Sequence, residues 1–252
     1  MTFCRGPLTG FRAFLDLHVE FPDAEITANE RARKKYERHR RWIKPIFRLL
    51  KKGWALDRAI ASAIGQPATF LDASCGESRL LLRAQKAGAT VCVGNDVSWS
   101  QIELLLGDLS PDLRYKIAFT NHNIVALPFK ANVFDVAICK DTLHHLGSPA
   151  EWHLVLNNLI RVAQKVIIVE VEDPTQRVIS RVLNKYYYKG WLEDTGKCPW
   201  SYRQFRDCIQ GYVNLRPELD AKISKHQSLH SNHMIAEIWK RQSPRGGEGV
   251  EA

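Results

Sequence analysis

The sequence predicts an α/β fold built on a mostly parallel sheet. Beyond Gly65 and Pro67, short apolar runs alternate with helical stretches, the pattern of successive βαβ units. Over 252 residues the composition is 45% hydrophobic and 25% charged, with 15 Gly and 11 Pro. This suits one sizeable soluble core and excludes collagen, coiled coil and wholesale disorder.

Residues 1–27 carry weak periodicity and two prolines, Pro7 and Pro22, and read as an irregular extension. Residues 28–43 suit a basic helix, and Pro45 can open a second one running to about Ile64. In that second helix Ile46, Phe47, Leu49, Leu50, Trp54 and Leu56 form an apolar stripe for docking. Strands are then expected at residues 69–72, 90–94, 115–119, 133–139 and 165–171, and helices at about 78–87, 99–106 and 149–163. A helix at 174–188, a loop rich in Gly, Pro and Trp at 190–200, a short helix from Ser201 and two late strands ending near 238–240 complete the core. Residues 1–65 thus form an N-terminal extension with a basic helical lid, and residues 66–242 the core. An insertion at about 174–212 shapes the substrate side, and residues 243–252 read as a disordered tail.

Six cysteines, at positions 4, 75, 92, 139, 198 and 208, include no C-x-x-C pair and read as reduced thiols. Every strongly apolar run is far shorter than the roughly 18 to 20 residues of a membrane-spanning helix. No secretory segment is expected either, because Arg5, Arg12, Asp16, His18 and Glu20 interrupt the first twenty residues. The expected location is the cytoplasm. Between Arg31 and Lys52 eleven Lys and Arg face Glu37 alone, a local charge of +10 against +9 for the whole chain. Any membrane surface or nucleic acid would be contacted there.

The chemistry concentrates at the strand ends. In Phe70-Leu71-Asp72-Ala73-Ser74-Cys75-Gly76-Glu77-Ser78 a strand closes on an acid, then small residues let backbone N–H groups approach a ligand. Twenty residues past Gly76, Asp96 follows the second strand, where a carboxylate can accept from both ribose hydroxyls of an adenosine. Glu77 would repel a pyrophosphate at that helix start, and no G-x-G-x-x-G is present. Both observations favour a phosphate-free adenosine cofactor over a dinucleotide.

Residues 68–146 resemble the core of the class I S-adenosylmethionine-dependent methyltransferases of small-molecule type, whose first motif reads V-L-D-x-G-C-G-x-G. The run Asn123-Ile124-Val125-Ala126-Leu127-Pro128-Phe129, then Phe134-Asp135-Val136-Ala137, then Leu143-His144-His145-Leu146 is similar to that family's D-x-x-x-L-P-F, F-D-x-V and L-H-H-L segments. The resemblance implies a Rossmann-like three-layer sandwich with a seven-stranded, mostly parallel sheet and an antiparallel last strand. It implies S-adenosylmethionine as cofactor, with S-adenosylhomocysteine as product. Asp72, Ala73, Ser74 and Gly76 would border the methionine part, and Asp96 would take the ribose. Val97 would pack on the adenine, Asn123 and Ile124 would meet its amine and ring edge, and Lys140 and His145 would lie near the methionine end. Ser74 and Ser78 stand where the family has glycine, so a left-handed backbone there would be strained. Asn123 stands for the usual aspartate.

Because the sulfonium is already an activated donor, the protein mainly aligns a nucleophile and excludes water. Candidates for taking a proton from the acceptor lie beyond the strand ends: first His144 or His145, then Asp141, then Glu170. No metal site is expected. Tyr186, Tyr187, Tyr188, Trp191 and Trp200 could wall a pocket for a flat or apolar substrate. The expected activity is methyl transfer, with O-methylation slightly preferred, to a small-molecule or lipid-like acceptor. Two alternatives stay open: an RNA or protein methyltransferase gripping its substrate through the basic segment, and a cofactor-binding scaffold without turnover.

Overall fold

A computed structural model describes residues 54–76, 79–114, 116–146, 149–172, 200–227 and 232–241. Residues 1–53 with the whole basic segment Arg31 to Lys52, Glu77 and Ser78, most of the 174–212 insertion and the 243–252 tail lie outside these residues; of the second expected helix, Trp54–Ile64 is described.

The described chain begins with α1 (Trp54–Ile64), β1 (Thr69–Asp72), α2 (Leu80–Lys86), β2 (Val91–Asn95) and α3 (Trp99–Asp108). It continues through the one-turn α4 (Pro111–Arg114), β3 (Ile117–Thr120), β4 (Phe134–Lys140), α5 (Pro149–Val162) and β5 (Ala163–Val171). After residue 200 come α6 (Tyr202–Asn214), β6 (Leu219–Gln227) and β7 (Asn232–Lys240). The seven strands lie in the order β3-β2-β1-β4-β5-β7-β6. All neighbouring pairs from β3 to β5 are parallel, and β7 runs antiparallel between β5 and β6.

Strand alternation divides the apolar residues between two cores. Leu71, Ala137, Val166 and Ile168 join α5 and α6 on one face; Phe70, Val136, Ile138, Ile167 and Val169 join α1, α2 and α3 on the other. This makes the three-layer sandwich expected of near-continuous apolar strands covered on both sides. Gly94 in β2 is required by that packing, since a Cβ there would lie 2.9 Å from Leu81 and from Phe119.

Two of the sequence motifs turn out to staple the sheet. The Asp135 carboxylate accepts from the N–H groups of Ala68 and Thr69 at 2.8 and 2.9 Å, and the Asp135 N–H donates to the Thr69 hydroxyl at 2.8 Å, aligning β4 with β1 at their amino ends. Arg161 on α5 donates to the carbonyls of Phe129 and, at 2.8 Å, of Leu127, holding the Leu-Pro-Phe segment against that helix.

Several expectations are corrected. β5 starts at Ala163, two residues early, and cuts α5 at Val162, because a β-bonded partner exists for Ala163 in Phe134. The helix after Ser201 is thirteen residues long, not short, and begins with a capping box between Ser201 and Gln204. It buries Phe205, Ile209 and Tyr212, so residues 202–212, expected within the insertion, belong to the core. Ser74 carries no left-handed strain: among the described non-glycine residues only Asn132 and Asp141 have positive φ.

Candidate active site

Between β1 and β4 the strand order reverses direction, and ligands of open α/β sheets lie beyond the carboxyl ends of the strands at such a switch. β1 ends there on Asp72 and β4 on Lys140. Asp72 is fully buried, as are Ala73 and Cys75 in the turn that follows. Ala73 N–H donates to Ile138 O and Cys75 N–H to Asn95 O, both at 2.8 Å, so β4 and β2 hold the turn from either side.

Gly76 adopts φ +44° and donates its N–H to Asp96 Oδ2 at 2.8 Å. The other oxygen, Oδ1, accepts from Ser98 N–H at 2.9 Å. Each carboxylate oxygen therefore keeps a further lone pair. Burial pushes the Asp96 carboxyl above its ordinary value of 3.8, although the two N–H groups pull it back. Asp96 is half-buried and the next residue, Val97, is 53% exposed.

Sequence reasoning missed Asn95, the residue that fixes this region. Fully buried at the end of β2, it donates to the carbonyls of Ala73 and His122, both at 3.0 Å. Its oxygen accepts from Thr120 Oγ1 and His122 N–H. One amide thus locks the loops after β1 and β3 to β2. A polar side chain closing the apolar run Val91-Cys92-Val93-Gly94 was the available signal. Beyond β3, exposed Asn123 uses its side-chain oxygen to cap a 3-10 turn (Ile124–Ala126) through Val125 N–H, and Ile124 is buried.

The β4 end gathers the remaining candidates. Lys140 pairs with Asp141. Burial pulls the Lys140 ammonium down, yet Asp141, Asp72 and Glu170 hold it above the usual lysine value. Burial pushes the Asp141 carboxyl up, and Lys140, His233 and His144 bring it below the ordinary carboxylate value. Asp141 sits at φ +55°, held by its N–H bond to Val169 O at 2.8 Å, and its Oδ1 is buried without a hydrogen-bond partner. Thr142 Oγ1 donates to Ser74 Oγ at 2.6 Å, tying this loop to the turn after β1. The serine that replaces a family glycine is thus a tether.

His144 lies in a 3-10 turn (Leu143–His145), buried, with Nδ1 2.6 Å from Glu170 Oε2. Glu170, on β5, is fully buried and its Oε1 accepts from Thr142 N–H and Leu143 N–H at 2.8 and 2.6 Å. His145 is exposed, with its ring 4.3 Å from that of His144. Trp152 donates from Nε1 to Leu143 O at 2.9 Å and stacks on Trp200 at 3.6 Å. Cys92 is pushed up to about 12 by burial, and Cys139 also rises, so both remain thiols rather than nucleophiles. His233 on β7, buried, is a further residue of this cluster that the sequence did not suggest, because only strand pairing brings β7 beside β5.

The residues fit an adenosine cofactor without phosphates. Asp96 offers carboxylate lone pairs beside a left-handed glycine, and Val97 presents an apolar surface next to it. The sequence of residues 70–165 matches the family described as methyltransferase domain. Over residues 70–165 the chain is thus similar to methyltransferase domains. The fold of the described residues is similar to that of solved structures. The YcgJ protein of Bacillus subtilis aligns with 13% identity and TM-score 0.55, covering 73% of this chain and 97% of that one. An S-adenosylmethionine-dependent methyltransferase of Methanosarcina mazei aligns with 17% identity and TM-score 0.53, covering 71% and 94%. The magnesium protoporphyrin IX methyltransferase of Synechocystis, solved with bound S-adenosylhomocysteine, aligns with 17% identity and TM-score 0.52, covering 92% and 95%. No curated protein matches this chain in sequence.

Proposed function

We propose that the methyltransferase acts on a hydroxyl group of a small-molecule or lipid-like acceptor, with His144 receiving the hydroxyl proton. The observation that supports it is the buried imidazole of His144, held by the buried carboxylate of Glu170 beyond the carboxyl end of β4. Bound S-adenosylmethionine supplies the methyl group: its carbon gains the acceptor oxygen's electron pair, and the carbon–sulfur pair stays on sulfur in S-adenosylhomocysteine. In this reading Asp96 binds the ribose hydroxyls, and Val97, Asn123 and Ile124 border the adenine. Asp72, Ala73, Ser74 and Gly76 surround the methionine part, with Lys140 and exposed His145 near its end. The proton of the acceptor oxygen passes to His144. Asp141, ionised and paired with Lys140, is the weaker proton acceptor; its buried Oδ1 can accept a hydrogen bond from the acceptor instead.

No described helix is long and apolar enough to cross a membrane. A cytoplasmic location, with the basic segment at a membrane surface, is part of the proposal. That segment, with Tyr36, Trp42, Phe47 and Trp54 among its charges, also favours a second reading in which the acceptor is RNA or a protein.

Calorimetric titration with S-adenosylmethionine, S-adenosylhomocysteine and NAD tests the cofactor. Binding of the two sulfur compounds alone is expected. A panel of phenols, hydroxylated lipids, amines and RNA, assayed for methylated product, then tests the acceptor. Product on hydroxyl compounds, lost in His144→Gln, supports the proposal. Product on RNA alone favours the second reading, and cofactor binding without product across the panel favours a scaffold.

A further inference from the structure

We infer that Glu170 is a positioning residue that sets the tautomer of His144, so that Nε2 is the atom that takes the acceptor's proton. The inference rests on the reading of His144 as proton acceptor and adds how the protein prepares it.

The hydrogen-bond inventory around Glu170 fixes the assignment. Oε1 faces the N–H groups of Thr142 and Leu143, which can only donate. Oε2 faces His144 Nδ1 at 2.6 Å. An ionised carboxylate has no proton to give, so in the neutral imidazole Nδ1 carries the hydrogen and Nε2 the lone pair. The same carboxylate therefore holds both the ring and the backbone on which the ring stands. The Leu143 peptide is fixed from its other side by Trp152 Nε1, and Thr142 by Ser74. These bonds set the imidazole relative to the turn after β1, where the methionine end of the cofactor is proposed to lie. When the acceptor's proton reaches Nε2, the imidazolium that forms lies against the Glu170 charge.

Glu170→Gln inverts this arrangement at nearly constant volume. The Gln oxygen must face the two backbone donors, because an NH2 group there would meet only hydrogens. Its NH2 then faces Nδ1, which has to accept, and the proton of the neutral ring moves to Nε2. The variant thus keeps the side chain in place and presents the wrong nitrogen. Glu170→Asp keeps the charge but shortens the reach, so it is expected to retain the Nδ1–H tautomer with part of the activity.

The test is long-range proton–nitrogen NMR of the histidine side chains at alkaline pH. It uses the full chain with S-adenosylhomocysteine bound, and His144→Gln assigns the signal. The expected result is Nδ1–H in the parent protein and Nε2–H in Glu170→Gln, with S-adenosylhomocysteine affinity within about twofold. An Nε2–H signal in the parent protein overturns the inference, even if Glu170→Gln fails to fold; so does an unchanged tautomer in a folded variant. On the first acceptor found, kcat should fall about a hundredfold or more in Glu170→Gln with little change in KM. Full kcat in Glu170→Gln while His144→Gln is inactive overturns the inference; full kcat in both overturns the reading of His144 itself.

Discussion

Asp96 holds the Gly76 and Ser98 amides with one oxygen each and keeps lone pairs for a ligand. Asp96→Ala should weaken S-adenosylmethionine binding by about 1.5 to 3 kcal/mol, the range for hydrogen bonds to a charged group. Calorimetry measures it, and an unchanged affinity sinks the ribose assignment. Burial raises the carboxyl in the free protein, so protonation begins at a higher pH than for an ordinary carboxylate. Cofactor affinity should accordingly fall on acidification while the pH is still above the usual carboxylate range. The effect on folding runs the other way. A carboxyl raised by burial favours the folded state below its unfolded value, and that contribution is lost as pH rises through the folded value. Titrations of affinity and of thermal stability across mildly acidic pH should move in opposite senses for this residue, and both trends should vanish in Asp96→Asn.

At the scale of elements, two positions in β2 carry the architecture around the site. Asn95→Leu removes an amide that satisfies two carbonyls, a hydroxyl and an N–H group, leaving buried polar groups unpaired. At about 1 to 3 kcal/mol for a buried group left unsatisfied, a loss of at least about 3 kcal/mol is expected in chemical denaturation, together with loss of cofactor binding. Gly94→Ala places a methyl group against Leu81 and Phe119 and should cost about 1 to 3 kcal/mol by overpacking. A variant as stable as the parent would mean that α2 shifts to accept it. The strand positions were legible because apolar runs between two helical layers are nearly continuous, as in Val166 to Val169. The length of helix α6 was not legible because Arg203, Gln204, Arg206 and Asp207, which face solvent, interrupt its apolar stripe, in which Phe205, Ile209, Tyr212 and Val213 are buried.

For the whole molecule, the excess charge lies in one segment. If that segment holds a polyanion or an anionic lipid surface, association with RNA or with vesicles containing acidic lipid should weaken steeply with salt. Replacing Arg40, Arg41 and Lys44 with Gln should flatten that dependence and leave S-adenosylmethionine affinity unchanged, as read by sedimentation with vesicles and by calorimetry. A slope identical to the parent protein removes the polyanion reading. By itself the sequence determined the order of strands and helices, the switch point and the cofactor class, because these depend on local periodicity and on short motifs at strand ends. Only the tertiary structure decided that Asp135 and Ser74 are tethers, that Asn95 is the clamp and that His233 joins the site. It also set Glu170 behind His144, 26 residues away in the chain. Such pairs are fixed by strand register, and each side chain looks ordinary until the neighbouring strand supplies its partner.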